Sequence, residues 1–387
     1  MPQIVLLVLK NGLRNRVRTL LTILGISVGV IAYAFLQTVL VAYNIGVEAS
    51  SDNRLVTRHR VSLFNLLPLA QNDKIAQVPG VAKVAYGIWF GGFYKDEKNF
   101  FAQFGMNPPY LDLYPEFIVP PEQRAAWEAD RQGAIVGRKL ADRFGWKLGD
   151  RVTLTGTIFS GDWDFNIVGI YKGRDRATDE TAMLFHWKLL DERLLTAGRG
   201  SQVGWYVIGV DDPARNGEVS DAIDALFINS SYPTLTETEK EFNKSFVSMM
   251  GTIITIIQTA AWVVIVIVLL IMTNTMAMAA RERITEYGVL KTLGFRAVHL
   301  GSLIAGEALL ISFLGAAVGC AIAYGLVFVV GQAIELSMGS MFPVFELRPV
   351  TVAAAIGLAM LSGLAACLIP MARAIRLPIV DSLRRVG

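Results

Sequence analysis

Four apolar runs divide the chain, at residues 19–42, 252–275, 302–330 and 349–370. Each is long enough, at 1.5 Å rise per residue, to cross about 30 Å of hydrocarbon as a helix. The stretch between the first and second runs reads differently. Over 43–233 polar residues and turn signals punctuate short alternating segments. Strands are expected at 60–65, 81–89, 99–104, 151–157, 165–171 and 203–210, and helices at 71–77, 122–129, 139–144 and 216–228. Over 234–251 the period becomes helical: Leu235, Phe242, Phe246 and Met249 share a face, and Glu237, Lys240, Glu241 and Lys244 cover the others. That predicts a stalk helix running into the second span. The fold class expected is a membrane protein, with four transmembrane α-helices and a large extracytoplasmic α+β domain between helices 1 and 2.

Charge orients this pattern. Ahead of the first run, Leu6, Leu9, Leu13 and Val17 make one stripe and Lys10, Arg14 and Arg18 another, as in a helix lying on the cytoplasmic leaflet over 1–18. Arg281, Arg283, Lys291 and Arg296 lie in the connection 276–301, and Arg373, Arg376, Arg384 and Arg385 in the tail 371–387. The loop 331–348 carries a single basic residue, Arg348. By the positive-inside rule both termini and the 276–301 connection are cytoplasmic, and residues 43–233 lie outside. The first run is too long for the apolar core of a cleaved signal peptide.

Composition agrees with this division. Of 387 residues, 53% are hydrophobic and 18% charged, too apolar for an ordinary soluble chain and too charged for spans alone. The net charge of +3 is small, and the basic residues sit beside spans, so nucleic acid is not an expected partner. The two cysteines, Cys320 and Cys367, fall inside spans and read as small packing residues. His59, His186 and His299 are far apart, without metal-ligand spacing, and no metal or catalytic residue is expected. No GxxxxGK[ST] occurs, so the chain carries no P-loop. The outer aromatics Trp89, Phe90, Phe93, Tyr94, Phe100, Phe101, Phe104, Trp163 and Phe165 read as core more than as a greasy binding site. Asp162, Asp164, Asp175, Asp179 and Glu180 read as solvated loop residues. Within the third run, Glu307 is an ionisable group in a span and reads as a structural or gating contact. Gly315 and Gly319 form a GxxxG pair suited to close helix packing, within the subunit or across a dimer.

The segment 281–294, RERITEYGVLKTLG, is short, charged and helix-prone, and it lies between two spans. Val289, Leu290 and Leu293 are expected on one face with Glu286. It resembles the coupling-helix motif E-R-x-R-E-I-G-x-L-R-A-L-G of the FtsX/MacB-like ABC transporter permeases. Glu282, Arg283, Glu286, Gly288, Leu290, Lys291, Leu293 and Gly294 match, whereas Thr285 and Tyr287 stand where that family usually has Arg and Ile. NGLRNRVRTLLTILGISVGV before and within the first run is similar to the family's opening. AQNDKIAQVPGVAKVAYGI, GAIVGRKLADRFGWKLGDRVTLTG and DFNIVGIYKG resemble its periplasmic core domain, and Pro370, Arg373, Arg376, Leu377, Val380, Leu383 and Arg384 match its closing pattern.

The resemblance implies a permease subunit that docks on a separate ATP-binding cassette subunit, which would bind ATP and Mg; no cofactor is expected in this chain. The eight matched residues would form the ATPase-coupling segment. The family further implies a second permease copy, identical or related, and mechanotransmission of ATP binding to the outer domain. The implied activity is export or extraction of a lipophilic compound, lipid, lipoprotein or peptide. The alternative is a regulator that activates a periplasmic cell-wall hydrolase without moving a substrate. A periplasmic adaptor, an outer-membrane channel and membrane lipids are the remaining expected partners, and the bacterial inner membrane the expected location.

Overall fold

The computed structural model describes residues 16–48, 51–196, 198, 200–249, 251–338 and 344–376. The amphipathic helix expected over 1–18 and the basic tail therefore lie largely outside the described residues. In chain order the elements are α1 (Arg16–Glu48), β1 (Arg54–His59), β2 (Leu67–Pro68), α2 (Gln71–Ala76), β3 (Val81–Trp89), β4 (Gly92–Phe93), β5 (Gln103–Met106), α3 (Tyr110–Leu113), β6 (Phe117–Ile118), α4 (Pro121–Ala129), β7 (Gly133–Gly137), α5 (Arg138–Phe144), β8 (Arg151–Gly156), β9 (Gly161–Gly173), β10 (Met183–His186), α6 (Trp187–Thr196), β11 (Gln202–Val203), β12 (Trp205–Val210), α7 (Asn216–Phe227), β13 (Thr234–Thr238), α8 (Glu239–Met249), α9 (Gly251–Glu282), α10 (Ile284–Thr292), α11 (Ala297–Met338) and α12 (Pro349–Arg376). They fall into two units: residues 1–41, 251–330 and 346–387, and residues 42–250 with 331–345.

The second unit is built on one large sheet, in the order β13-β1-β12-β3-β5-β10-β7-β9-β8-β4, with β6 added on β9. Pairing is antiparallel except β10 with β5 and β7 with β9. Helices cover both faces. On β10, Met183 and Phe185 join a core with Ile75, Leu140, Leu190 and Ile223, whereas Leu184 joins Met106, Leu111 and Trp127 on the other side. A strand buried on both faces shows no polar alternation, which is why the sequence pattern did not reveal β10. Of the outer aromatics, Phe90, Phe101, Trp163 and Phe165 are buried, whereas Phe100 is exposed. Asp162 and Asp175 are exposed. Asp179 and Glu180 are not free loop carboxylates: Asp179 accepts from the Thr181 N and Oγ1 at 2.7 Å, and Glu180 from Gly173 N at 2.8 Å.

Two expected elements are displaced. The strand expected at 60–65 is instead β1 at Arg54–His59, whose arginines meet partners: Arg54 is buried against two carboxylates, and Arg58, half-buried, meets Glu237 at 2.8 Å. The expected stalk helix begins only at Glu239. Its first five residues form β13, because the threonines of TLTET pair with β1. The Thr57 and Thr236 hydroxyls lie 2.9 Å apart, and Asp224 accepts from Thr234 and Thr236.

His186 ends β10 with its ring stacked on Trp127 at 4.5 Å and its Nε2 2.6 Å from the Trp127 carbonyl oxygen. Burial holds its pKa below the usual 6.5, and the Trp127 carbonyl and Asp130 and Glu128 offset that only in part. The unfolded chain then binds the proton first as pH falls. The stability from neutral His186 is complete above the unfolded value and is lost as pH falls below 6.5 toward the folded value. Melting curves at about pH 7.5 and about pH 5 are expected to show this loss, and His186→Asn to lessen it. A pH response unchanged in that variant would refute the assignment.

The first unit contains four helices long and apolar enough to span a membrane, over Arg16–Ala42, Ile254–Glu282, Ala297–Glu335 and Pro349–Arg376. Their shared core is rich in small residues: Ala308, Ala316, Cys320, Ala355, Ala359, Ala366, Cys367 and Ala374 pack with Ile26, Val30, Met272 and Ile304. Such contacts suit helices in lipid, where close packing rather than hydrophobicity drives association. The glycine pair packs within the chain. A Cβ on Gly315 would lie 2.8 Å from Ile26 Cβ, and one on Gly319 2.8 Å from Val30 Cβ and 2.9 Å from the Ser27 carbonyl. Ser27 Oγ donates to the Gly315 carbonyl at 2.9 Å. Gly319→Val is expected to force α1 and α11 apart and cost about 1–3 kcal/mol by overpacking, read as a lower melting temperature in detergent. An unchanged melting temperature would contradict this contact.

Candidate coupling site

The connection between α9 and α11 is a second helix rather than a loop. Arg283 leaves the helical conformation (φ −107°, ψ 13°), which ends α9, and α10 starts at Ile284. At its other end, Gly294 N donates to the Lys291 carbonyl at 3.1 Å and Phe295 N to the Leu290 carbonyl at 3.0 Å. This is the paired closure of a Schellman turn, with Gly294 at φ +87°, where a side chain would be strained. The chain thus makes a stop, a nine-residue helix and a second stop.

One side of α10 is tied inward. Arg283 Nη1 donates to Glu307 Oε2 on α11 at 2.6 Å, with both side chains almost fully buried. Lys291 Nζ donates to the Ala374 and Ile375 carbonyls at 3.0 and 2.9 Å. These are C-terminal carbonyls of α12, where a cation also favours the helix dipole. One residue before the break, Glu282 pairs with Arg18 of α1 at 2.5 Å. Tyr287 and Gly288 are buried, and Leu290 packs against the helix core. Burial pushes the Tyr287 phenol up to about 12, with Arg283 opposing the shift, so it stays a neutral phenol at any physiological pH. α11 and α12 thereby hold the inward side of the short helix, and α1 holds the end of α9 just before it.

The other side is open. Val289, Leu293, Phe295 and Val298 are exposed, Leu293 by 70% and Val298 by 78%, with Gly294 and Arg296 exposed among them. The predicted face is therefore partly corrected. Val289 and Leu293 point out, whereas Leu290 turns into the helix core and Glu286 is half-buried. The matched residues divide into an inward set (Arg283, Gly288, Leu290, Lys291) and an outward set (Leu293, Gly294), with Glu286 half-buried between them and Glu282 exposed at the edge. Sequence reasoning missed Arg18, Tyr287, Phe295 and Val298. The Arg283–Glu307 pair had one visible signal, a carboxylate inside an apolar run, but no spacing rule links residues 24 apart across a turn.

Two family models match the chain: the MacB-like periplasmic core domain over residues 19–226 and the FtsX-like permease C-terminal over 259–379. The first covers more than half of the sequence. The chain belongs to the MacB/FtsX-type ABC transporter permeases. It is 24% identical over 350 residues to an uncharacterised ABC transporter permease of Methanocaldococcus jannaschii, covering 85% of this chain and 84% of that one. Two solved structures are similar to part of this chain. One is the extracellular domain of the noncanonic ABC-type transporter YknZ from Gram-positive bacteria (13% identity, TM-score 0.37, 48% of this chain and 100% of that one). The other is the periplasmic region of MacB from Actinobacillus actinomycetemcomitans (11% identity, TM-score 0.37, 51% and 92%). As a permease of this family the chain is a multi-pass membrane protein with an extracytoplasmic domain, and it implies a partner ATPase subunit. The FtsX-like match contains the whole of α10, with its inward and outward sets.

Proposed function

We propose that this permease transmits ATP-driven motion from the partner ATPase, through α10, to its outer domain. One observation carries the reading: the stretch from α10 through its closing turn to the start of α11 exposes Val289, Leu293, Phe295 and Val298, while Arg283 just before α10 and Lys291 within it are tied to α11 and α12. Glu282, just before it, adds α1 through Arg18. A push on the open face moves α11 and α12 with it, because the Arg283–Glu307 tie cannot lengthen without stranding a buried charge and the Lys291 ties cannot lengthen without freeing helix-terminal carbonyls. Two ATP-binding subunits would face two permease copies, with both termini and α10 on the cytoplasmic side. The work done outside is export or extraction of a lipophilic compound, lipid, lipoprotein or peptide, in a bacterial inner membrane, with a periplasmic adaptor and outer-membrane channel as further partners.

The direct test is to tag the chain, extract it in mild detergent and identify the proteins that remain bound. An ATP-binding subunit whose ATPase rate changes in the complex is the expected result. Recovery of the intact permease with no ATP-binding subunit, under conditions that preserve other ABC complexes, would overturn the proposal. A bound cell-wall hydrolase in place of an adaptor would assign the outer motion to regulation rather than export.

A further inference from the structure

The outer unit is joined to α1 and α9 by two chain segments, and both meet at one buried ionic node. Arg54 opens β1, six residues after the end of α1. Glu239 is the first residue of α8, the helix leading to α9. The Arg54 side chain is 7% exposed and commits all three nitrogens. Nε donates to Glu239 Oε2 at 2.8 Å, Nη2 lies 2.8 Å from the same oxygen and donates to Glu116 Oε1 at 2.7 Å, and Nη1 donates to Glu116 Oε2 at 3.1 Å and the Leu113 carbonyl at 2.8 Å. Its guanidinium also lies over the Tyr114 ring, 4.0 Å from the centroid. Ser51 N donates to Glu239 Oε2 at 2.9 Å, so the segment following α1 grips, through Ser51 and Arg54, the carboxylate that starts α8.

Capping α8 does not require Glu239. Thr238 and Glu241 form a capping box, with Thr238 N donating to Glu241 Oε2 at 3.0 Å and Glu241 N to Thr238 Oγ1 at 3.2 Å. Nor is net stability a sufficient reason for the node, since burying charges costs desolvation and apolar residues of similar size often serve as well. What a saturated, forked guanidinium supplies is fixed geometry. From β13 into α8 the described connection has no soft point. β13 pairs with β1 over five residues and passes directly into α8, and residues 234–249 contain no glycine or proline.

We propose that Arg54 is a positioning residue that locks the first turn of α8 to β1 and the 113–116 segment, so that α8 and the outer sheet turn as one body. This rests on the reading of the chain as an ATP-driven transmitter. The test uses the full chain with its ATPase, in a Cys320→Ala, Cys367→Ala background, with spin-label distances measured by double electron–electron resonance. Lys188→Cys with Lys244→Cys reports α8 against α6, which packs on β5 of the sheet, and Met278→Cys with Lys188→Cys reports the helix bundle against the outer unit. Between nucleotide-free and ATP–vanadate states, the first distance is expected to hold within about 2 Å and the second to shift by about 5 Å or more. Arg54→Gln, or the milder Glu239→Gln, is expected to broaden the first distribution and shrink the shift in the second, with the outer unit still folded by near-UV circular dichroism. A first distance that changes with nucleotide in the unsubstituted node would overturn the lock while leaving transmission intact. A second distance that never moves would overturn transmission and this proposal with it.

Discussion

Leu293→Asp with Phe295→Asp is expected to strip the ATP-binding subunit from the permease during purification and to lower ATP-driven activity by about thirtyfold or more. The size follows from interface hot spots, where truncating a buried apolar anchor commonly costs about 2 kcal/mol or more and burying a new carboxylate adds to that. Both side chains are exposed in the isolated chain, so the substitutions leave the packing of α10 untouched. The melting temperature of the permease alone should stay within experimental scatter while complex formation fails. Substitution of Val61 and Phe64, more exposed apolar residues of the outer unit, serves as the control and should leave ATPase binding intact. A variant that still binds ATPase and retains its ATP-driven activity would remove the outward face of α10 from the docking surface.

The second large effect is expected at the Arg283–Glu307 pair. Arg283→Leu leaves a buried carboxylate without its cation, at a cost of about 3–5 kcal/mol, and the complex should melt well below the native protein. Arg283→Leu with Glu307→Leu removes both charges and should recover much of that stability, because a buried ion pair contributes little beyond an apolar pair of the same volume. ATP-driven activity should not recover with it. In the double variant α10 and α11 are held by packing alone and can slide past each other when pushed. Recovery of both stability and activity would reduce the pair to a structural contact, and recovery of neither would point to a fold that needs the charges themselves.

How much of this was legible beforehand depended on how local each signal is. The spans were readable because apolar length is counted along the chain, and α10 because its motif is contiguous. Strands with one polar face, such as β3 and β8, were also visible. β10, buried on both faces, was not, and neither was β1, whose arginines meet carboxylates that lie far along the chain. Thr234–Thr238 was assigned to a helix because its charged and apolar positions fit a helical period as well as a strand. Pairing with β1 decides between them, and that partner lies almost 180 residues away. The site shows the same division. Gly294 could be recognised as a stop from its type and place, whereas the ties made by Arg283, Lys291 and Arg18 depend on residues that only the fold brings close.

The outer sheet bends back on itself. β4 stands last in the strand order, at the opposite end from β13 and β1, yet it begins three residues after β3 ends. The Gln103 side chain of β5 fastens it there: Gly92 N donates to Gln103 Oε1 at 2.9 Å, and Gln103 Nε2 donates to the Gly92 carbonyl at 3.0 Å. The strands from β3 through β5, β10, β7, β9 and β8 to β4 therefore close a loop whose two ends are one continuous stretch of chain. A ring of this kind resists shear better than an open sheet does, because a load on one strand is carried around it from both directions.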